Sequence, residues 1–321
     1  PPSLERRRVS HARAAAVFPR LPADRVLVDA RPSRARSWPG TIAFPGGACE
    51  DVDDPLPLAT GRFDRARACA LRELGEEVGL WSVCDAADGS PVDPARRASF
   101  ERDVVRVVDA AGPAGAALAD ALNAHALALD DRALTSLLLW KTWDGRFTVQ
   151  QFLLPLEREP HRSAVAVEEL TDVAFVSPTT LRAQWRTGTA FLIAPIRRVV
   201  VELAKLGDRA SVDAIVAALA VQPNATERAK NDLVEGACIL SARTPTLPPA
   251  THTNGVLLGA GDALLVDPAT PYVDEQERFD RQLLACLGSH RVQAIVCTHH
   301  HPDHVGDVAR LRAKLNVPVW A

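Results

Sequence analysis

Two clusters of potential metal ligands, different in chemistry, lie in opposite halves of this chain. Three glutamates fall within residues 72–80, and four histidines with an aspartate fall within residues 299–304. A length of 321 residues is too great for one ordinary domain and suits two domains of about 100–200 residues each. The sequence therefore predicts two domains, with one ligand cluster in each.

Composition and charge narrow the class of protein further. Apolar residues make up 47% and charged residues 24% of the chain, which is typical of a globular protein and excludes wholesale disorder, collagen and coiled coil. A net charge of −3 gives no basic footprint for nucleic acid. No apolar run reaches the roughly 18–20 residues that a membrane helix needs. We expect a small-molecule partner, with no nucleic acid and no membrane; the oligomeric state stays open.

Six cysteines are spread over the chain, and none belongs to a Cys-x-x-Cys pair. A chain of this length does not need disulfides to stabilise its core, so we expect reduced thiols and a cytoplasmic location. The basic N-terminal stretch is too briefly apolar for a secretory signal. Because the chain has no methionine at all and stops abruptly, we interpret it as a fragment.

Apolar periodicity gives the expected organisation. Short strand patterns alternate with helical ones over residues 1–206, which we expect to form the first domain. Residues 207–243 are interpreted as a helical connector and linker. Residues 244–321 combine strand and helical patterns again and are expected to form the second domain. The fold class predicted for both domains is α/β.

The glutamates lie in the clearest helical pattern of the chain, residues 62–78. Because each helical residue advances by about 100°, Glu76 and Glu77 flank Glu73 one turn further on. Grouped carboxylates repel each other unless cations neutralise them, and hard oxygen ligands suit Mg²⁺ or Mn²⁺. The apolar residues on the adjoining flank, which we expect in the core, are Leu71, Leu74 and Val78.

A solvated acidic helix face is the alternative explanation for these glutamates. Two features favour a site. Gly75 stands in the middle of the helical pattern, where glycine costs up to about 1 kcal/mol relative to alanine. In addition, Gly46 and Gly47 follow a short strand pattern ahead of the helix. We therefore expect Glu73 and Glu76 to line a cleft shared with the glycine pair.

This stretch resembles the signature of the Nudix hydrolases, G-x5-E-x7-R-E-U-x-E-E-x-G-U with U a bulky aliphatic residue. Residues 72–80 match its second half at every position. The first half departs from it, because Asp53 stands where the signature has Glu, five residues after Gly47. Residues 54–71, eighteen in number, also replace the usual seven. These departures leave the role of Asp53 open and the helical carboxylates intact.

The resemblance implies a Nudix α/β/α sandwich around a mixed sheet, and hydrolysis of a nucleoside diphosphate linked to another moiety. It implies that Glu73, Glu76 and Glu77 hold Mg²⁺ or Mn²⁺ and act in catalysis, and that Arg72 orients a carboxylate. The general base would be one of these glutamates or Glu169. A Nudix domain that senses nucleotides without cleaving them is the alternative function.

The substrate class depends on a weaker resemblance, to the coenzyme A pyrophosphatases of the same superfamily. Arg31 precedes Gly40 by nine residues, a spacing similar to theirs, although Pro32 and Ala35 depart from their pattern. This resemblance implies substrate contacts from Arg31, Gly46 and Gly47 and a CoA or acyl-CoA substrate. ADP-sugars and dinucleotides remain as alternatives.

The histidine cluster follows a strand pattern at residues 294–297 and fits His-x-His-x-Asp-His, the signature of the metallo-β-lactamase fold. A solvated histidine run is the alternative. The resemblance implies one metal on His299 and His301 and a second on Asp303 and His304. The metal would be Zn²⁺, with iron or manganese as alternatives.

The second resemblance also predicts what this region lacks. The metallo-β-lactamase fold (αββα) needs roughly twice the residues that follow residue 243, and it takes further ligands from downstream. We therefore expect a partial domain, its N-terminal half, with the cluster exposed and zinc held weakly. Asp267 is expected to support the ligands without binding metal itself.

Overall fold

The structure is a computed structural model that describes residues 12–22, 25–31, 39–109, 114–141, 147–163, 173–207, 209–221 and 232–321. The chain forms two compact units. The first contains Pro1–Thr180 and Val199–Gln222, and the second contains Leu181–Arg198 and Pro223–Ala321. Each unit has a sheet of its own, as the α/β expectation requires.

Within the described residues, the first unit alternates strands and helices. Its strands are β1 (Ala12–Leu21), β2 (Arg25–Ala30), β3 (Thr41–Ala43), β4 (Gly46–Ala48), β5 (Val83–Asp85), β6 (Leu127–Leu129), β7 (Thr135–Lys141), β8 (Phe147–Pro155) and β9 (Ala174–Val176). Its helices are a 3₁₀ turn at Asp51–Asp53, α1 (Arg65–Val78), α2 (Pro94–Asp109) and α3 (Ala114–Ala124). Then follow α4 (Pro178–Thr187), β10 (Phe191–Leu192), α5 (Ala194–Leu206) and α6 (Val212–Ala220), a stretch in which the sequence passes between the two units.

Strand β1 organises the sheet of the first unit. It runs parallel to β8 and antiparallel to both β2 and β4. β7 continues the sheet beyond β8, and β3 and β9 pair antiparallel with β2. The sheet is therefore mixed, as expected, and β4 brings the glycine pair to its surface. β5 and β6 pair separately.

Helix α1 packs its apolar flank into the core of the first unit. Leu71, Leu74 and Val78 are at most 3% exposed, which confirms that part of the helical register. The helix begins after Asp64, whose side chain accepts hydrogen bonds from two backbone N–H groups of the first turn. It ends at Gly79 in the left-handed region, φ 69°, as a C-terminal cap.

Gly75 is required by packing within the first unit. A Cβ atom at this position would lie 2.3 Å from the Trp81 ring, so the indole occupies the space that a side chain would need. Trp81 in turn packs edge to face against Phe100, with ring centroids 5.6 Å apart. The glycine therefore admits an aromatic side chain against the middle of α1.

The second unit has a sheet in the order β11 to β16. Its strands are β11 (Asp232–Val234), β12 (Ala237–Arg243), β13 (His252–Leu258), β14 (Ala263–Val266), β15 (Val292–Val296) and β16 (Val319–Trp320). Pairing is antiparallel as far as β14 and parallel from there to β16. The helices are α7 (Val273–Leu287), α8 (Pro302–Val305) and α9 (Val308–Leu315). Phe279 and Leu283 of α7 and Leu311 of α9 form its core with side chains of the sheet.

The stretch expected to be a helical connector differs from that expectation. Of residues 207–243, the described helix is α6, whereas Ala237–Arg243 forms β12 and pairs with β13 along its whole length. Alternate residues of β12 point into the core, since Cys238, Leu240 and Ala242 are buried. This period of two is typical of a strand with one buried face.

The expectation of reduced cysteines is wrong for one pair. Cys238 of β12 and Cys286 of α7 form a disulfide, with Cα atoms 6.4 Å apart. The packing of α7 on β12 brings them within the range that a disulfide spans. Cys49, Cys69, Cys84 and Cys297 are free thiols. Among the described residues, no helix has the length and apolar character needed to cross a membrane.

Candidate functional site

The glutamate face of α1 lies directly against the glycine pair of β4. A Cβ atom on Gly47 would be 2.3 Å from Oε1 of Glu73, so a side chain there would require the carboxylate to move. The Gly46 N–H donates to Oε2 of Glu77 at 2.8 Å. A Cβ atom on Gly46 would also lie 2.4 Å from the carbonyl oxygen of Ala15. The structure thus brings Gly46, Gly47, Glu73 and Glu77 together.

Arg72 is a buried cation at the centre of the carboxylates. Its Nε donates to Oδ1 of Asp53 at 2.7 Å, and its Nη1 donates to Oε2 of Glu76 at 2.7 Å. Nη2 lies 3.0 Å from Oε1 of Glu73 and 3.3 Å from the carbonyl oxygen of Ala48, to which it donates. Arg72 therefore orients two carboxylates of the helix and fastens the glycine strand to them.

The sequence left the role of Asp53 open, and in the structure Asp53 is an ion-pair partner of Arg72. It is 1% exposed and belongs to the 3₁₀ turn ahead of α1. Its second oxygen, Oδ2, accepts a hydrogen bond from the Glu50 N–H at 2.8 Å. Asp53 is thus a buried partner of Arg72, in spite of the long segment between them.

Burial makes the carboxylates of the helix weak acids in the absence of a cation. It raises the pKa of Glu73 to about 7, against the opposing charge of Arg72. Burial together with the charge of Glu73 raises the pKa of Glu77 to about 8. The pKa of Glu76 is also raised by burial, and its Oε1 is buried without a hydrogen-bond partner.

These observations fit a divalent cation whose coordination is completed by ligands other than these carboxylates. Across the described ranges, no three His, Cys, Asp or Glu side chains are placed so that they could hold one metal ion. Mg²⁺ is commonly bound by one or two carboxylates together with waters and substrate phosphates. The unpartnered Oε1 of Glu76 and the raised pKa values of Glu73 and Glu77 are what a nearby cation would satisfy.

Arg31 lies at the end of β2, close enough to the helix for its charge to oppose the rise in the pKa of Glu77. Its backbone is held by the loop, since Arg31 N–H donates to Thr41 and its carbonyl accepts from Gly40. Glu169, Pro32 and Ala35 lie outside the described residues.

The histidine cluster of the second unit lies on the loop that follows β15. His299, His300 and His301 are exposed, as expected. The ring centroid of His299 is 4.7 Å from that of His301 and 4.0 Å from that of His304. The ring of His300 is 5.4 Å from that of His301. The three histidines of the signature therefore converge.

Asp267, which follows β14 in the left-handed region at φ 47°, supports this loop. It accepts hydrogen bonds from the Thr298 N–H at 2.8 Å and the Thr298 hydroxyl at 2.6 Å, and its Oδ2 lies 2.9 Å from Nδ1 of His304. Although burial acts to raise it, these hydrogen bonds lower the pKa of Asp267. Thr298 was not among the predicted residues; its position directly before the histidines is the only sequence signal for it.

Asp303 is the last of the predicted metal-binding residues, but it does not complete a set of ligands around one ion. Its Oδ2 is 3.9 Å from Nε2 of His304, and its carboxylate accepts a hydrogen bond from the Thr246 side chain. A zinc site in a protein normally uses three or four protein ligands. Since no three such side chains among the described residues could hold one ion, the cluster as it stands does not fit a closed zinc site.

Two regions of the chain are similar to known hydrolases. Residues 248–321 match the family model of the Metallo-beta-lactamase superfamily. The N-terminal region is similar to Nudix hydrolases. The two regions therefore resemble two families of hydrolases, and each contains one of the ligand clusters.

Particular relatives define the extent of the Nudix similarity. The Uncharacterized Nudix hydrolase NudL of Escherichia coli O7:K1 (strain IAI39 / ExPEC) is 35% identical over 95 residues, which make up 29% of this chain and 50% of the relative. The chain thus spans about half the length of the curated relatives it matches.

Two solved Nudix structures were also compared. The hydrolase of Alicyclobacillus acidocaldarius has a TM-score of 0.48 and 23% identity, over 61% of this chain and 92% of that one. The Nudix domain of Shewanella oneidensis NrtR, solved with ADP ribose, has a TM-score of 0.27 and 11% identity, over 52% of this chain and 73% of that one.

Proposed function

We propose that the first unit is a Nudix hydrolase that cleaves a nucleoside diphosphate linked to another moiety, with Mg²⁺ or Mn²⁺ as cofactor. The observation that carries the proposal is the contact between the glutamate face of α1 and the glycine pair, where Glu73 abuts Gly47 and Glu77 accepts from Gly46. Partly buried carboxylates beside a pair of glycines suit a metal-bridged diphosphate.

Each residue of the site has a distinct role in this proposal. Arg72 positions Glu73 and Glu76 and does not touch substrate, because it is buried and each of its three nitrogens already has a partner. The Gly46 N–H orients Glu77. A divalent ion bound here would polarise the phosphorus centre and acidify water. Candidates for the general base are the glutamates themselves and Glu169.

The substrate class that we favour is CoA or acyl-CoA, on the spacing from Arg31 to the glycine pair. Arg31 is a cation at the edge of the carboxylate site, where it suits a phosphate group. ADP-sugars and dinucleotides are the competing classes. The second candidate function, nucleotide sensing without cleavage, predicts binding of the same compounds without turnover.

A product screen tests the proposal directly. CoA, ADP-ribose, NADH and a diadenosine polyphosphate are each incubated with the full chain, with and without Mg²⁺, and the products are separated by chromatography. We expect Mg²⁺-dependent formation of 3′,5′-ADP from CoA or of AMP from one of the other compounds, with Glu77→Gln defining the background. Saturable binding of a compound without product would establish the sensor instead.

For the second unit we propose a metallo-β-lactamase-type hydrolase region, in which His299, His301, Asp303 and His304 are the metal-binding residues. Support comes from the family match over residues 248–321 and the convergence of three imidazoles. Zinc is favoured over iron and manganese because imidazole suits it. No catalytic step is assigned, since the described residues do not form a closed site.

The proposed domain organisation is a Nudix domain at residues 1–206 and a second hydrolase region at 244–321. Between them, residues 207–243 contain helix α6 and also strand β12, which belongs to the sheet of the second unit. We propose a cytoplasmic location and a small-molecule partner, on the charge and composition of the chain. The disulfide between Cys238 and Cys286 provides the test of location. Alkylation in intact cells measures its state: reduced thiols at both positions would support the cytoplasm, and protection of both, as the structure has them, would contradict it.

A further inference from the structure

Two free thiols lie near each other beside the carboxylate site of the first unit. Cys49 directly follows β4 and is half-buried, whereas Cys69 lies within α1 and is fully buried. Sγ of Cys69 lies 3.4 Å from the carbonyl oxygen of Ala48, the residue that directly precedes Cys49. The pair therefore joins the strand that carries the glycines to the helix that carries the glutamates.

The surroundings of the pair divide the two thiols into a reactive and a protected one. The neighbouring Cys69 thiol, with the charges of Arg72 and Arg65, lowers the pKa of Cys49, although burial and the charge of Asp53 oppose this shift. The proximity of Cys49 and burial raise the pKa of Cys69. A half-exposed thiol with a lowered pKa and a neighbouring thiol is the arrangement found in redox-responsive cysteines.

We propose that Cys49 and Cys69 are a redox modification site, at which a hydroperoxide converts the two thiols to a reversible disulfide that disables the carboxylate site. The Cys49 thiolate attacks the terminal peroxide oxygen, breaking the O–O bond and giving a sulfenic acid, while the protonated leaving group departs as water or alcohol. Cys69 then attacks the sulfenic sulfur, forms the S–S bond and releases water. Two thiols are oxidised and one peroxide is reduced.

The effect on the site follows from the lack of space around Gly47. Cys69 is fixed in the core, so formation of an S–S bond of about 2.05 Å must draw Cys49 toward α1. Gly47, two residues earlier, is already in contact with the Glu73 carboxylate. Sγ of Cys69 also lies 3.4 Å from the carbonyl oxygen of Ala48 and 3.9 Å from Nη2 of Arg72. We therefore expect oxidation to displace Glu73 or the strand.

The other half-buried free thiol, Cys297, is a matched control in the same chain. Burial and the charge of Asp267 raise its pKa. The described residues place no second free thiol in contact with it. It should react with peroxide more slowly than Cys49 and should form no intramolecular disulfide.

The test titrates the full chain with hydrogen peroxide, alkylates the remaining thiols and maps the peptides by mass spectrometry. We expect a linked Cys49–Cys69 peptide before Cys297 is modified, with recovery of both thiols in dithiothreitol. Cys49→Ser should abolish the link and Cys297→Ser should retain it. Oxidation of Cys297 first, or of Cys49 to a sulfinic acid without a link, would overturn the proposal.

The regulatory part has a readout that does not depend on catalysis. Because the Gly46 N–H donates to Glu77, its hydrogen exchange should quicken in the oxidised form. Diphosphatase activity, which rests on the proposed function, should fall by about ten- to a hundredfold, as expected for a misplacement near 1 Å. A linked peptide with unchanged exchange would refute the regulation. Lack of activity in the reduced protein would refute the function alone.

Discussion

Nε of Arg72 donates to Oδ1 of Asp53 across 2.7 Å, and both side chains are almost wholly buried. The segment between these residues is much longer than the Nudix signature allows, yet the ion pair forms. Residues 54–71 form a loop and the first half of α1, and they return the chain so that Arg72 meets Asp53. The pair therefore holds Arg72 in the position from which it contacts Glu73 and Glu76.

The first prediction concerns this pair. Asp53→Ala should destabilise the protein by about 3 kcal/mol, the lower end for removal of one partner of a buried pair, because Arg72 keeps Glu73 and Glu76. Urea unfolding measures the change. Asp51→Ala, on the same turn with a side chain that is 96% exposed, is the control and should change little. Equal stability of the two variants would contradict a structural role for Asp53.

The second prediction concerns Glu77. Glu77→Gln should lower diphosphatase activity by at least about a thousandfold, since loss of a metal ligand removes several kcal/mol of transition-state stabilisation. The fold should persist, as judged by circular dichroism. Glu159→Gln, at a side chain that is 61% exposed, should be as active as the parent. Activity of Glu77→Gln within a few-fold of the parent would remove Glu77 from the metal site.

The third prediction uses the close contact at Gly47. Gly47→Ala places a methyl group where Oε1 of Glu73 now lies, so the carboxylate must move and the response to Mg²⁺ should be lost. Gly261→Ala is the matched control, because its nearest neighbour is 4.0 Å away. Thermal unfolding with and without Mg²⁺ compares them. An unchanged response in Gly47→Ala would show that Glu73 does not bind the ion.

The fourth prediction is a dependence on pH. The pKa values of Glu73 and Glu77 are about 7 and about 8, above the ordinary value of 4.5. Between pH 4.5 and these pKa values, the folded protein therefore binds more protons than the unfolded chain. The stability of the metal-free protein should therefore fall as the pH rises through this window. Mg²⁺ needs the ionised carboxylates, so the rise in Tm that it causes should be larger at high pH.

Differential scanning calorimetry at two pH values on either side of this window tests the fourth prediction. The double variant Glu73→Gln and Glu77→Gln should lose both the decline of stability with pH and the effect of Mg²⁺. An Mg²⁺-induced shift of equal size in the parent at both pH values would show that these carboxylates do not exchange protons for metal.

The fifth prediction concerns the second unit. Since no three side chains among the described residues could hold one ion, the full chain should retain much less than one zinc per molecule after dialysis. Elemental analysis measures the ratio. One tightly held zinc that is lost in His301→Ala would show that the cluster is sufficient as a site.

Features that depend on neighbouring residues could be predicted from the sequence. The helix around Glu73, its buried flank at Leu71 and its glycine cap all follow from local spacing. The exposed histidine loop follows from the strand before it. In these cases the periodicity and the caps of the element itself determine the structure.

Features that depend on distant pairing could not be predicted. The partnership of Asp53 with Arg72 is set by the fold of an insertion, for which the signature gives no guide. β12 was not predicted, because its seven residues form a strand through pairing with β13, which the local sequence does not reveal. The Cys238–Cys286 disulfide joins residues 48 apart in sequence through the packing of α7 on β12.

The contact between Gly75 and Trp81 has a consequence for the angular position of α1. The indole of Trp81 lies against the backbone of Gly75. Rotation of α1 about its own axis would bring a neighbouring side chain into the ring, so the indole opposes this rotation. The direction in which the three glutamates project therefore depends on Trp81, an uncharged residue that follows the C-terminal cap of the helix. Enlarging the glycine or shrinking the indole would redirect all three carboxylates at once.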